Sequence, residues 1–138
     1  MPRIIAIDYG GKRCGIAVTD PLKIIATGLT TVPTTELMDF VIQYIKKEDV
    51  DCLVVGLPFR ADGSLSLIAK QIKTFLDKIH GQLPNLRLEG VDESFTSQQA
   101  VQSLVQSGVP KKKRRQKELV DKVSATLILQ RFLEQENE

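Results

Sequence analysis

The sequence has no tryptophan, a single histidine and two cysteines, and its apolar stretches are short. Each scarcity removes a class of function. The longest uninterrupted apolar runs, residues 4–7 and 52–55, reach four residues, far below the roughly 20 of a membrane-spanning helix. Residues 3–8 start a strand-like segment with no apolar leader or small-residue cleavage site before them, so a cytoplasmic protein is the expectation. Cys14 and Cys52 lie in separate apolar segments without a CxxC partner, which argues against a disulfide framework or a thiolate zinc site and makes them reduced core residues. His80, next to Gly81 at the expected end of a helix, reads as a solvated terminus residue. With no other histidine, neither a Ser-His-Asp triad nor paired-histidine ribonuclease chemistry has a base. No GxxxxGK[ST] loop is present and no GxGxxG follows a strand.

What is present is a globular balance of 42% apolar and 26% charged residues in 138 positions, enough for one domain spanning residues 1–138 with its own core. The net charge of +2 conceals an asymmetry. Six of the seven residues 111–117 are basic; removing them leaves 13 Lys and Arg against 17 Asp and Glu, a balance of −4. One basic segment on a mildly acidic body points to a polyanionic partner.

The hydrophobic pattern begins as an antiparallel meander. Residues 3–8 and 14–19 form two apolar strands joined by a polar, Gly-rich turn; Asp20-Pro21 marks a second turn, and residues 24–32 supply a third, β-branched strand. Thr34 or Thr35 is placed to cap a helix carrying Leu37, Val41, Tyr44 and Ile45 at helical spacing. Residues 52–56 make a fully apolar strand of the kind buried on both faces. Ser64 can cap a second helix with Leu65, Ile68, Ala69, Ile72, Phe75, Leu76 and Ile79 on one face. Residues 86–91 give a fifth strand, and Thr96 and Gln99 have capping-box spacing before a third helix stopped by Gly108. The basic run follows as a loop, and a last helix covers about residues 118–134. Such an order predicts an α/β fold with a mixed five-stranded sheet, order 3-2-1-4-5, and helices on both faces.

Asp8 ends an otherwise apolar strand, where an ionised carboxylate is costly unless paired or bound to a metal. With strands one, four and five parallel, Asp8, Gly56 and the Asp92-Glu93 pair leave the sheet at one edge, the edge where open α/β sheets bind ligands. Asp121 shares a helical stripe with Ala125, Ile128 and Phe132, which turns it toward the sheet. Singly, each acid has an ordinary explanation: Asp8 capping the turn through Gly10 and Gly11, Glu93 solvated, Asp121 favouring a helix dipole. Together they converge, and mutual repulsion calls for a cation; hard oxygen ligands select Mg²⁺ or Mn²⁺. Asp92 alternates away from Glu93 and is the weaker candidate, and Asp20 reads as a turn acid. Lys12 and Arg13 in the first turn, and Lys111, Lys112, Lys113, Arg114, Arg115 and Lys117 in the basic run, are candidate phosphate contacts.

These residues resemble the YqgF family of pre-16S rRNA nucleases, also described as Holliday junction resolvase-like. Its DxGxKRxGxAxxD pattern stands here from Asp8 to Asp20, its GLP segment as Gly56-Leu57-Pro58, and its DGS segment as Asp62-Gly63-Ser64. The DExxTS motif reads Asp92-Glu93-Ser94-Phe95-Thr96-Ser97, and Ser124 departs from the usual Ala of the DxxAA segment. The resemblance implies a ribonuclease H-like three-layer fold with Asp8, Glu93 and Asp121 as the metal-binding set. It also implies two-metal phosphodiester hydrolysis, with precursor ribosomal RNA as the preferred substrate and branched DNA as the alternative. A non-cleaving RNA-binding maturation factor is the competing reading. Nothing in the sequence marks a dimer interface, so a monomer or weak homodimer is expected.

Overall fold

The computed structural model describes residues 2–57, 67–92 and 117–136. Three strands open the chain: β1 (Arg3–Asp8), β2 (Arg13–Thr19) and β3 (Ala26–Pro33). A 3-10 turn (Thr34–Glu36) leads into helix α1 (Leu37–Lys47), followed by β4 (Val50–Leu57), α2 (Leu67–Gln82), β5 (Arg87–Asp92) and α3 (Lys117–Glu136). The strands form one sheet in the order β3-β2-β1-β4-β5. The β1–β2 and β2–β3 pairs are antiparallel, and β1–β4 and β4–β5 are parallel.

Side-chain alternation along the strands builds two cores. Ile5, Ile7, Cys14, Ile16, Val18 and Leu53 pack with Leu37 and Val41 of α1 and Phe75 and Ile79 of α2 on one face. Ile4, Ala6, Ala17, Cys52, Val54 and Val91 pack with Ala125, Ile128, Leu129 and Phe132 of α3 on the other. The result is the three-layer arrangement and strand order expected from the sequence.

Four details differ from the sequence reading. First, β3 starts at Ala26, because Ile24 and Ile25 belong to the preceding turn: their backbone N–H groups both donate to Asp20 Oδ1 at 2.8 Å, and that of Leu22 donates to Oδ2 at 3.2 Å. Second, neither threonine caps α1 through its side chain; the Thr34 hydroxyl instead donates to the Gly10 carbonyl at 2.7 Å. Third, α2 runs through Gly81 to Gln82 and closes where the Leu83 N–H reaches the Ile79 carbonyl, while His80 is exposed in its last turn as expected. Fourth, Lys117 begins α3 instead of ending the basic loop. The expected third helix and the basic segment 111–116 lie outside the described residues.

Candidate metal and nucleic-acid site

Asp8 is the last residue of β1 and half-buried. Ile4 and Ala6 face α3 while Ile5 and Ile7 face α1 and α2, so the alternation brings Asp8 out on the α3 side. Its cross-strand partner on β2 is Gly15, and the register Ile7↔Val55 puts Gly56 next along β4. The strands flanking the carboxylate thus carry glycine at its level.

Helix α3 runs against the direction of β1. Its last turn lies at the amino end of β5, where Glu136 pairs with Arg87 and the Arg87 guanidinium sits 5.5 Å from the Phe132 ring centroid. The beginning of α3 therefore lies toward the carboxyl edge of the parallel strands, the edge at which β1 ends in Asp8. Asp121 stands one turn before Ala125 on the stripe whose Ala125, Ile128 and Phe132 are buried against the sheet. Close approach is possible because Gly28 has no side chain: a Cβ there would sit 2.8 Å from Lys122 Cγ and 3.1 Å from Thr126 Oγ1. Two of the three expected acids are thereby carried to one face and one edge, by position in the chain for Asp121, whose side chain is outside the description. Glu93 also lies outside it, directly after Asp92, which pairs with Leu57 at the same edge. Among the described residues no three His, Cys, Asp or Glu side chains are grouped closely enough to hold a metal.

Between β1 and β2, residues 9–12 form a short loop over the same edge. Lys12 is exposed and Arg13, the first residue of β2, half-exposed. Thr34 ties this loop to the end of β3: besides its hydroxyl bond to Gly10, its N–H donates to the Lys12 carbonyl at 3.0 Å. The buried Cys14 Sγ lies 3.9 Å from that Gly10 oxygen and 3.5 Å from the Thr34 hydroxyl. Both cysteines are buried, and burial pushes the Cys52 thiol up to about 11, away from the reactive thiolate. The sequence reading missed Thr34 as a loop anchor and Tyr9 as a wall of the neighbouring cleft. Burial, followed by the nearby Cys14, raises the Tyr9 phenol above its ordinary value.

A family model described as RuvX, Holliday junction resolvase, matches residues 2–135. The chain belongs to the RuvX family. RuvX relatives named "Putative pre-16S rRNA nuclease" include one from Bacteroides fragilis, 49% identical over 97% of both chains. Another, from Christiangramia forsetii, is 52% identical over 96% of this chain and 98% of its own. Among solved structures, Thermus thermophilus RuvC in complex with a Holliday junction substrate aligns over 99% of this chain and 97% of that one, at TM-score 0.64 and 13% identity. The fowlpox virus Holliday junction resolvase aligns over 96% and 99%, at TM-score 0.55 and 11% identity. At such identities the structures establish the fold alone, and it is ribonuclease H-like. The RuvX assignment bears out the family resemblance read from the motifs and places the chain among nucleases. No helix among the described residues is long and apolar enough to cross a membrane.

Proposed function

We propose that this RuvX protein is a divalent-metal-dependent nuclease that processes the 5′ end of precursor 16S rRNA in the cytoplasm, as one domain over residues 1–138 and as a monomer or weak homodimer. The observation that carries the reading is the placement of Asp8: an acid ending an apolar strand, on the α3 face, at the edge toward which the start of α3 brings Asp121. The names of the relatives support the substrate.

The donor chemistry fits Mg²⁺ or Mn²⁺. Asp8 is a hard oxygen donor, both cysteines are committed to the core, and His80 sits exposed at the end of α2. Asp8, Glu93 and Asp121 would hold the metal, which when bound activates water and stabilises the leaving oxygen of the phosphodiester. Lys12 and Arg13 then neutralise backbone phosphates beside the acids, on a loop whose shape Thr34 holds. Lys111, Lys112, Lys113, Arg114, Arg115 and Lys117 extend the grip along the strand, with the salt-sensitive, sequence-independent affinity of phosphate contacts.

The test is cleavage of a labelled 5′-extended 16S precursor fragment, and separately of a four-way DNA junction, with Mg²⁺, Mn²⁺ or EDTA. Asp8→Asn should lower metal-dependent RNA cleavage by at least about 100-fold while far-ultraviolet circular dichroism stays unchanged. Equal activity in the variant sinks the assignment of Asp8. Metal-dependent cutting of the junction in preference to RNA makes the protein a resolvase, and RNA binding without cleavage makes it a maturation factor.

A further inference from the structure

On the face opposite α3, a cleft of about 390 Å³ opens between the 3-10 turn and α1 on one side and α2 on the other. Its volume is within the roughly 300–1,000 Å³ of small-molecule and nucleotide sites. Lys70, Thr74 and Lys78 share one stripe of α2 at offsets of four and eight, so the two lysines leave the helix about 12 Å apart along its axis. Thr34 and Thr35 stand on the other wall, and Tyr9 and Phe75 lie in the same lining, with ring centroids 5.9 Å apart and planes tilted by 49°. Two cations, several hydroxyls and an aromatic pair line the cleft, and among the described residues no carboxylate does. In a protein whose charge outside the basic segment is negative, a cleft whose described charged residues are two lysines is a local site for anions.

The cleft is also joined to the site proposed above. Tyr9 follows Asp8 directly in the chain, and Thr34, a wall of the cleft, is the residue that bonds to Gly10 and Lys12. A Cβ on Gly11 would come within 3.6 Å of Ile68 Cδ1, so the 9–12 loop abuts the first turn of α2. A strand lying across Asp8 on the α3 side meets Lys12 at the edge and reaches the cleft by crossing this one loop.

We infer that the cleft is a second contact for the substrate strand, in which Lys70 and Lys78 bind backbone phosphates of single-stranded RNA flanking the cleavage point and Tyr9 offers its ring to a base. Positively charged grooves with aromatic platforms are the general means of holding single strands without reading their sequence. The inference rests on the nuclease reading for the identity of the strand, and its test reads binding, so the two fail separately.

The experiment measures fluorescence anisotropy of labelled single-stranded oligoribonucleotides, about 4 and about 16 nucleotides long, with the full chain in EDTA. The variants are K70E/K78E and, as a charge-matched control at the exposed end of α1, K46E/K47E. K70E/K78E should weaken binding of the longer oligonucleotide at least about tenfold and reduce the slope of log K against log salt by about 1.4, the value for two lost contacts to a single strand. K46E/K47E should change affinity less than about twofold. Equal weakening by both variants, an unchanged slope in K70E/K78E, or no RNA binding by the wild type overturns the subsite. Displacement of the oligonucleotide by inorganic phosphate or a mononucleotide at concentrations near the oligonucleotide's own Kd also overturns it, since the occupant would then be a small anion. Loss of cleavage in the wild type with the cleft effect intact removes the nuclease reading and leaves the RNA contact standing.

Discussion

On the face covered by α1 and α2 the central strands present Ile5, Ile7, Ile16, Val18 and Leu53, whereas under α3 β1, β2 and β3 present Ala6, Ala17 and Gly28 beside Ile4. Large side chains fill the layer beneath α1 and α2; small ones let α3 come close to the sheet, as at Gly28 against Lys122 and Thr126. The face with the small residues is the one on which Asp8 emerges. A helix set close to its sheet can bring an acid of its first turns near a strand end. The small-residue face is thus the one on which the chemistry is proposed, and the cleft proposed for binding opens on the other.

That comparison can be broken from either side. Leu53→Ala, at a fully buried position of the large-residue face, should cost about 2–5 kcal/mol in chemical denaturation. A cost below about 1 kcal/mol would mean that this face does not depend on volume. The reverse change tests the other face: Ala17→Leu, at a buried position under α3, should cost about 1–3 kcal/mol by overpacking. It should also lower cleavage more than Leu53→Ala does once both are assayed well below their melting temperatures, because it displaces the helix that carries Asp121.

A smaller change sharpens the picture. Ser124 is fully buried on α3 and its hydroxyl has no hydrogen-bond partner among the described residues. Ser124→Ala should therefore raise stability by about 1 kcal/mol, read as a higher denaturation midpoint with unchanged slope. A loss of stability would show that the hydroxyl has a partner in solution.

The smallest effect belongs to a turn outside both faces. Backbone donors from Ile25, and also from Ile24 and Leu22, lower the Asp20 carboxyl below its ordinary value of 3.8 despite partial desolvation. A depressed carboxylate pKa contributes stability above the unfolded value and loses it as pH falls through the folded one. Melting temperature should thus drop below about pH 4 slightly more steeply in the wild type than in Asp20→Asn, and identical acid profiles would remove Asp20 from the account.

The fold was legible because both of its periods are clean. Alternation in β1 and the three-four spacing of Ile72, Phe75 and Ile79 in α2 each match a buried face. Asp8 was legible for the opposite reason, as a charge where the pattern called for an apolar residue. Ile24 and Ile25 misled because β-branched residues suit strands, while the hydrogen bonds that their own N–H groups donate to Asp20 Oδ1 settle their backbone in a turn. Thr34 misled in the same way: a hydroxyl before a helix reads as a cap, and only the fold brings the Gly10 carbonyl within its reach. Lys70 and Lys78 carried no signal as lysines on the polar side of an amphipathic helix. What distinguishes them is the wall facing them, which comes from residues some 40 positions earlier.

The pairing of Arg87 with Glu136 has a meaning beyond stability, to which an exposed ion pair adds at most about 1 kcal/mol. Asp121 stands 15 residues before Glu136 on one continuous helix, about 22 Å along its axis. A rod seated along its length works as a ruler: where Ala125, Ile128, Leu129 and Phe132 lodge against the sheet decides how far the first turns reach. In the proposed nuclease the position of Asp121 is thereby set by apolar packing, and the Arg87–Glu136 pair marks the end of the rod farthest from the proposed site.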